Sequence, residues 1–334
     1  MKRLLAGLIC LLLLTGCGGE QKTDWSVFAP AEEERLVIYT SHPPSLYEPM
    51  VKEFEERTGI WVQVETGGTA ELLDRLEAEQ DHPVCDLLFG GGADSLTARR
   101  ELFAPYISPQ TESLDPALCC EDGSWSAFSV VPVVLVYNPM LVRMNPPTGW
   151  ASLLDPVWRG RIAFASPLVS GGSYTALATM KQVLPEKENV LEAFHRSLDG
   201  QILSGISAVV DEVADAVADG SCTVGVTLES AALEAAEAGR DVALIYPEEG
   251  TSAVVDGMAV ITGCAHEENA RRFVDFALGE DAQRHLAEKC WRRPVRRELI
   301  REETEMTILD YDLDQAAAER DDILRQWREL EEQW

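Results

Sequence analysis

Residues Leu36–Leu96, LVIYTSHPPSLYEPMVKEFEERTGIWVQVETGGTAELLDRLEAEQDHPVCDLLFGGGADSL, decide the fold of this chain. Leu36-Val37-Ile38-Tyr39-Thr40 is a short apolar run that suits a buried parallel strand. Leu46, Met50, Val51 and Phe54 follow at helical spacing, and Ile60-Trp61-Val62-Gln63-Val64 reads as a second strand. Leu72, Leu73 and Leu76 mark a second helix, Asp86-Leu87-Leu88-Phe89 a third strand, and Ala93 to Phe103 a third helix. Strand–helix alternation with short connections predicts an α/β fold with a parallel sheet flanked by helices on both faces.

Downstream the pattern changes. Ala127 to Tyr137 is one long extended apolar run interrupted by Pro132, too long and too β-branched for an ordinary core strand. Pro139, Pro146 and Pro147 then break the chain, so the spacing predicts a crossing between domains near 127–138. A second α/β block follows, with strands at 161–164, 222–227 and 242–246 and helices at 174–184, 190–198, 209–218 and 230–238. Ala253 to Ile261 reads as a crossing back. Helices at 269–277 and 281–290 come next, and Ile323, Leu324, Trp327, Leu330 and Trp334 form one apolar face of a closing helix. The resulting division is residues 34–130 plus 256–334 in one lobe and 131–255 in the other.

The N-terminus is a leader. Lys2 and Arg3 precede an apolar run from Leu4 to Leu14, then Thr15-Gly16-Cys17. That run is about half the length of a bilayer-spanning helix. A cysteine directly after Leu-x-Gly resembles the bacterial lipoprotein signal, which implies cleavage of residues 1–16 and a lipid on Cys17. Residues 17–33 are polar, without periodicity, and read as a flexible tether. The formal charge is −29, near −31 once Lys2 and Arg3 leave with the leader. Such a surface repels nucleic acid and anionic lipid, yet a buried site sets its own local potential, so an anionic ligand is compatible with it.

Cys85, Cys119, Cys120, Cys222, Cys264 and Cys290 remain after removal of the leader and lipidation. Six thiols allow fifteen pairings, and sequence does not choose among them. An exported chain permits disulfides, so some pairing is expected. There is no C-x-x-C and no histidine at zinc spacing, which disfavours a structural zinc.

Glycine and hydroxyl residues collect where strands meet helices: Thr40-Ser41-His42, Thr66-Gly67-Gly68-Thr69, and Gly90-Gly91-Gly92-Ala93-Asp94-Ser95. In the second block they are Ser166, Ser170-Gly171-Gly172-Ser173-Tyr174-Thr175, Ser204-Gly205-Ile206-Ser207, and Glu248-Glu249-Gly250-Thr251-Ser252. In a parallel α/β sheet these junctions share the ligand-binding edge. Free N–H groups and the helix dipole there attract anions. Helix capping accounts for any one such turn; the triple glycine and Ser-Gly-Gly-Ser-Tyr-Thr exceed what a cap requires. His42 and Glu229 are candidate contacts at this edge, Asp94 and Asp256 are weaker ones that serve equally as caps or structural acceptors, and Trp61 and Tyr174 read first as packing residues. No G-x-S-x-G, H-E-x-x-H or P-loop is present.

At this point the blocks LVIYTSHPPSLYEPMVKEFEERTGI, ETGGTAELLDRLEAE, CDLLFGGGADSL, VYNP, SGGSYTALATM, ADGSCTVGVT and EGTSAVVDGMAVI resemble the extracellular solute-binding proteins of bacterial ABC importers. The resemblance is to the branch that holds ferric-iron, thiamine, aminoethylphosphonate and hexose-phosphate binders. It implies a two-lobed, type II-like periplasmic-binding-protein fold. Each lobe is a mainly parallel sheet flanked by helices, joined by two crossing strands. It also implies a monomeric receptor with no cofactor, at the periplasm or the outer face of the cytoplasmic membrane, that hands solute to a permease. Ferric binders of this branch offer adjacent tyrosines, a histidine and a glutamate; this chain has no Tyr-Tyr pair, and Gly90-Gly91-Gly92 stands where the glutamate would follow the third strand. Hard ferric iron wants phenolate and carboxylate oxygens. The expected ligand is therefore a small organic phosphate or phosphonate. Ser173, Tyr174 and Thr175 would sit at the anionic group; Ser41, His42, Thr69 and Glu229 would read the rest, and Gly92, Asp94 and Ser207 complete the set. Ferric iron is the alternative ligand, and an exported enzyme on the same scaffold the remote one.

Overall fold

Extended, buried β1 (Arg35–Thr40) is the centre of a parallel trio, paired on one side with β2 (Trp61–Thr66) and on the other with β3 (Leu87–Gly92). This is a computed structural model, and it describes residues 30–184, 189–203, 211–300, 306–310 and 313–333. The chain separates into Met1–Glu32 and Glu33–Trp334; all that follows concerns the second unit. The expected leader and lipidation site, residues 1–16 and Cys17, and Ser207 lie outside the described residues. Among those described, no helix is long and apolar enough to cross a membrane.

Helix α1 (Pro44–Thr58) buries Leu46, Met50, Val51 and Phe54 against this trio, and Gly59, at φ +73°, ends it by donating its N–H to Glu55 O. Helix α2 (Thr69–Ala78) buries Leu72, Leu73 and Leu76. The third helix is shorter than its apolar pattern suggests. Helix α3 covers Ala93–Thr97 only; at Arg99 the backbone leaves helical geometry (φ −129°), and a 3₁₀ turn at Arg100–Leu102 follows.

The long apolar run is a single strand, β4 (Ser126–Tyr137). Residues Ser126–Pro132 pair antiparallel with β9 (Ala253–Val260), and Val133–Tyr137 pair with β7 (Val224–Leu228) and β8 (Ala243–Ile245). A second parallel trio is built from β7, β5 (Ile162–Ala165) and β6 (Ile202–Leu203). Two-residue β10 (Arg293–Pro294) adds to β4. The sheet is therefore mixed: each block keeps a parallel trio, while every pairing of β4 and β9 is antiparallel. Each block keeps the parallel pairing expected of it, and the two strands that cross between blocks in opposite directions lie antiparallel.

Apolar side chains fall into separate clusters. Leu36, Phe54, Phe89, Phe128, Met258 and Phe273 belong to the first. Val131, Trp150, Phe164, Tyr174 and Phe194 belong to the second, and a third covers the opposite face of the second trio around Val134, Ala163 and Val213. Helices α4 (Gly171–Val183) and α5 (Val190–Leu198) pack into the second cluster; α6 (Asp211–Ala218) and α7 (Glu229–Glu237) cover the third. Helices α8 (Glu267–Ala277) and α9 (Glu280–Lys289) return to the first.

The closing helix, α10 (Leu313–Glu331), touches both blocks: Ile323, Leu324 and Trp327 enter the second cluster, while Asp314 and Asp321 pair with Arg100 and Arg99 of the first. Periodicity identified its buried face but not the surface that receives it. Two expectations are corrected. Some disulfide pairing was expected, but all six of these cysteines are free thiols. Trp61 is 47% exposed, because it begins β2 at the sheet edge and its side chain points away from the core.

Candidate functional site

The junction after β1 is tied down first. Thr40 Oγ1 donates to Phe89 O at 2.6 Å and accepts the N–H of His42 at 3.1 Å. This turns the His42 ring onto Phe89 and Phe128, with centroids 4.7 and 5.7 Å away. The triple glycine ends β3 in a bulge, with the register against β9 slipping between Phe89 and Gly92. Gly90 adopts φ +120°, and a Cβ there would stand 2.7 Å from Ser41 Oγ and 3.2 Å from His42 Nε2. Glycine is thus what lets Ser41 and His42 lie against this strand.

Asp94 follows in α3. Its Oδ1 accepts from Ser95 N and Ser95 Oγ, and its Oδ2 accepts from Thr175 Oγ1 at 2.9 Å. Thr175 belongs to α4, in the second lobe, so this bond crosses the seam between lobes. Ser170 caps α4 by accepting Ser173 N at 3.2 Å. In its first turn, Gly171 lies so close to the first lobe that a Cβ would reach Thr69 Oγ1 at 3.5 Å and Gly92 N at 3.7 Å. Thr69 itself is the first residue of α2, whose N-cap Gly68 supplies no side-chain acceptor. Thr69, Gly92, Asp94 and Thr175 are therefore brought together where the first turns of α2 and α4 lie close, while Ser173 is about 200° round α4 from Thr175.

A second part of the seam is ionic. Asp256 lies opposite Gly92 on one side of β9 and Ser129 on the other, at the bulges in both ladders. It pairs with buried Arg292, which also donates to Ser129 Oγ at 3.1 Å. His42 Nε2 is 3.6 Å from Asp256 Oδ2 and has no hydrogen-bond partner. Burial pushes the His42 pKa down to about 4; Asp256 opposes and Arg292 adds to the fall. The ring is neutral at pH 7.

Glu229, the first residue of α7, is held by Arg293 through two bonds of 2.7 and 2.8 Å and accepts from the Tyr246 hydroxyl. Arg293 comes from β10, which pairs with the first-lobe end of β4, so this bidentate pair also crosses the seam. Arg292 with Asp256 and Arg293 with Glu229 thus satisfy one another at the seam. One cavity along it, lined by Pro43, Ser45, Leu46, Ser230, Glu234 and Arg292 among others, holds about 30 Å³, on the order of one water.

Of the residues expected at the ligand, Tyr174 has the packing environment that was its first reading. It is fully buried, and its hydroxyl donates to Ala316 O in α10; burial pushes its pKa up. Successive helical residues turn by about 100°, so Tyr174 cannot share the face of Thr175. Glu229 is at the seam, but its carboxylate meets Arg293 and Tyr246. Arg292, Arg293, Ser129, Tyr246 and Arg320 were not anticipated; the consecutive arginines after Trp291 in so acidic a chain were the available signal. Among the described residues no group of three or more His, Cys, Asp or Glu is arranged to hold a metal ion.

The sequence profile of a bacterial extracellular solute-binding protein family matches residues 83–314. Iron uptake protein A1 of Synechocystis sp. is 27% identical over 302 residues, spanning 85% of this chain and 81% of that protein. A putative 2-aminoethylphosphonate-binding periplasmic protein of Salmonella typhimurium is 23% identical, spanning 75% and 74%. Among solved structures, the periplasmic binding protein AfuA of Actinobacillus pleuropneumoniae with bound fructose-6-phosphate superposes with a TM-score of 0.81 at 26% identity, covering 88% of this chain and 98% of that one.

Proposed function

This chain belongs to the bacterial extracellular solute-binding protein family, and from that premise we propose that it is the receptor of an ABC importer for a small organic phosphate or phosphonate. The observation that carries the ligand class is the meeting of the α2 and α4 first turns at Thr69, Gly92 and Gly171. Two helix N-termini lying close together favour a compact anion, and glycine lets it approach the N–H groups. Thr175 adds a hydroxyl donor beside them. Ser41, His42, Asp94 and Glu229 read the remainder of the solute. The fructose-6-phosphate bound by AfuA and the 2-aminoethylphosphonate in the Salmonella protein's name both support an anion of this class.

Capture requires the seam to part and re-close over the solute, after which the receptor docks on its permease. Lipidation of Cys17 would hold the monomer at the membrane surface, and residues 17–33 would give it reach. The protein works as a binder, not as an enzyme.

Ferric iron is the second reading, favoured by the likeness to iron uptake protein A1. Against it stand the missing Tyr-Tyr pair and the glycines at 90–92.

Thermal-shift titration separates the two. A ligand at a hundred times its Kd stabilises the folded state by about 2.7 kcal/mol, so the melting point climbs with concentration. Glucose 6-phosphate, fructose 6-phosphate or 2-aminoethylphosphonate should shift the wild type, and Thr175→Val should abolish the shift while the unliganded protein still melts cooperatively. A shift with ferric citrate alone, on coloured protein, overturns the anion reading.

A further inference from the structure

Helix α10 is rooted in one lobe and reaches the seam of the other. Its C-terminal half is anchored in the second lobe by Trp327, which is fully buried with ring centroids 5.8 Å from Phe164 and 6.4 Å from Phe194. Glu331 ties that end down, accepting from Trp327 Nε1 at 2.8 Å and from Ser166 Oγ at 3.0 Å. Lys181 of α4 pairs with Glu319 at 2.7 Å, and Tyr174 donates to Ala316 O.

The N-terminal half faces the first lobe. Arg100 pairs with Asp314 at 3.1 Å and Arg99 with Asp321 at 3.4 Å. Between these two surface pairs the buried Arg320 guanidinium lies over the Tyr174 ring, 5.5 Å from its centroid. Arg320 Nε donates to Ser95 Oγ at 3.3 Å. Ser95 Oγ and N both donate to Asp94 Oδ1, whose other oxygen takes the Thr175 hydroxyl across the seam. One continuous polar path therefore runs from the tail helix through α3 to the first turn of α4.

We propose that Arg320 is a positioning residue of the binding seam. Carried on a helix rooted in the second lobe, it sets Ser95 and Asp94 of the first, so that α10 clasps the two lobes and must release α3 when they part. A third connection that grips the residues beside the glycine bulge couples closure to the geometry of the site. This rests on the seam being the ligand cleft, as read above.

Hydrogen–deuterium exchange of the full chain without ligand tests the clasp independently of any ligand's identity. In Arg320→Met, amides of 93–97 and 171–175 should exchange about tenfold faster, while β1 and β2 keep wild-type rates. Ser95→Ala removes the acceptor from the opposite side and should give the same pattern with α10 intact. Arg320→Lys, which keeps the charge, should recover part of the protection; loss of bulk packing alone would not show that rescue. Wild-type exchange at both segments in both variants overturns the clasp. So does uniform acceleration across all strands in Arg320→Met with an unchanged seam in Ser95→Ala. With glucose 6-phosphate as probe, Arg320→Met should bind at least tenfold more weakly. If no phosphate or phosphonate binds even the wild type, the ligand reading fails, and the exchange pattern alone decides the clasp.

Discussion

Acid should loosen this protein through His42, and the size of the effect follows from its surroundings. The ring is 5% exposed, wedged between Phe89 and Phe128, with Asp256 3.6 Å away and Arg292 behind it. Burial lowers its pKa from 6.5 to about 4. Between those values the unfolded chain holds a proton that the folded chain refuses, so protons favour unfolding. Stability is complete above pH 6.5 and is lost as pH falls toward 4. The linkage relation puts the loss at about 2 kcal/mol by pH 5 and about 3 kcal/mol by pH 4. The perturbation is His42→Gln, which keeps a polar side chain of similar reach but does not titrate. Urea unfolding followed by tryptophan fluorescence, at half-unit steps from pH 7 to 4, gives stability for both proteins. His195, also held low by burial, is common to both and cancels. The wild type should lose stability relative to His42→Gln by the amounts above. A flat difference would mean that the ring is hydrated in the native state. A difference of opposite sign would mean that Asp256 outweighs burial and holds the ring protonated, refuting the argument.

Two further perturbations address the seam. Removing one partner of a buried ion pair strands the other, so Arg293→Met, which leaves the Glu229 carboxylate with Tyr246 alone, should cost about 3 kcal/mol in urea unfolding. Glu229→Gln leaves the partly exposed Arg293 and should cost clearly less; equal costs would show that the pair is solvated. Gly90→Ala should lower the melting point more than Gly59→Ala does, by several degrees. Both sit at positive φ, but a Cβ at Gly59 meets nothing whereas one at Gly90 strikes Ser41 and His42. Equal shifts would mean that Ser41 and His42 do not rest on the strand.

Much of the scaffold was legible because burial leaves a period in the sequence. Leu46, Met50, Val51 and Phe54 are the residues α1 buries, and Leu72, Leu73 and Leu76 those of α2. The long run with Pro132 is one strand; its proline pairs with Ala253 where β4 passes from one lobe to the other. The period tells which face is buried, never against what. Hence Trp327 was recognised as apolar-facing while its partners Phe164 and Phe194 were not. The strands β6 and β10, at two residues each, are too short to carry any period. Hydroxyl and glycine turns were found because their composition is unusual, and Thr69, Gly92, Asp94 and Thr175 do meet. The charged half of the seam was largely hidden. Arg292 and Asp256 lie 36 residues apart, and Arg293 and Glu229 64. In a chain with 28 cationic and 57 anionic side chains, the Arg292-Arg293 run stands out, but nothing local tells which acids it meets.

That hidden half bears on affinity under the proposed function. In the closed seam Thr175 bonds Asp94, Arg293 grips Glu229, and Arg292 grips Asp256, so its own groups satisfy one another before any solute arrives. A solute must enter while these contacts are parted, and its observed affinity is its intrinsic affinity reduced by the fraction of molecules that are open. Contacts that hold the empty seam shut therefore oppose capture as well as support it. The sign of a seam mutation then depends on which form it favours. Loosening a contact that the solute replaces raises affinity; loosening one that persists around the solute lowers it. Glu229 is the group in which the two cases separate. If an anionic end of the solute takes its place on Arg293, Glu229→Gln tightens binding, and if Glu229 instead receives the solute's hydroxyls, the same change weakens it. A titration of Glu229→Gln with fructose 6-phosphate against ethylphosphonate distinguishes these, because the second carries neither a sugar hydroxyl nor an amine for Glu229 to read.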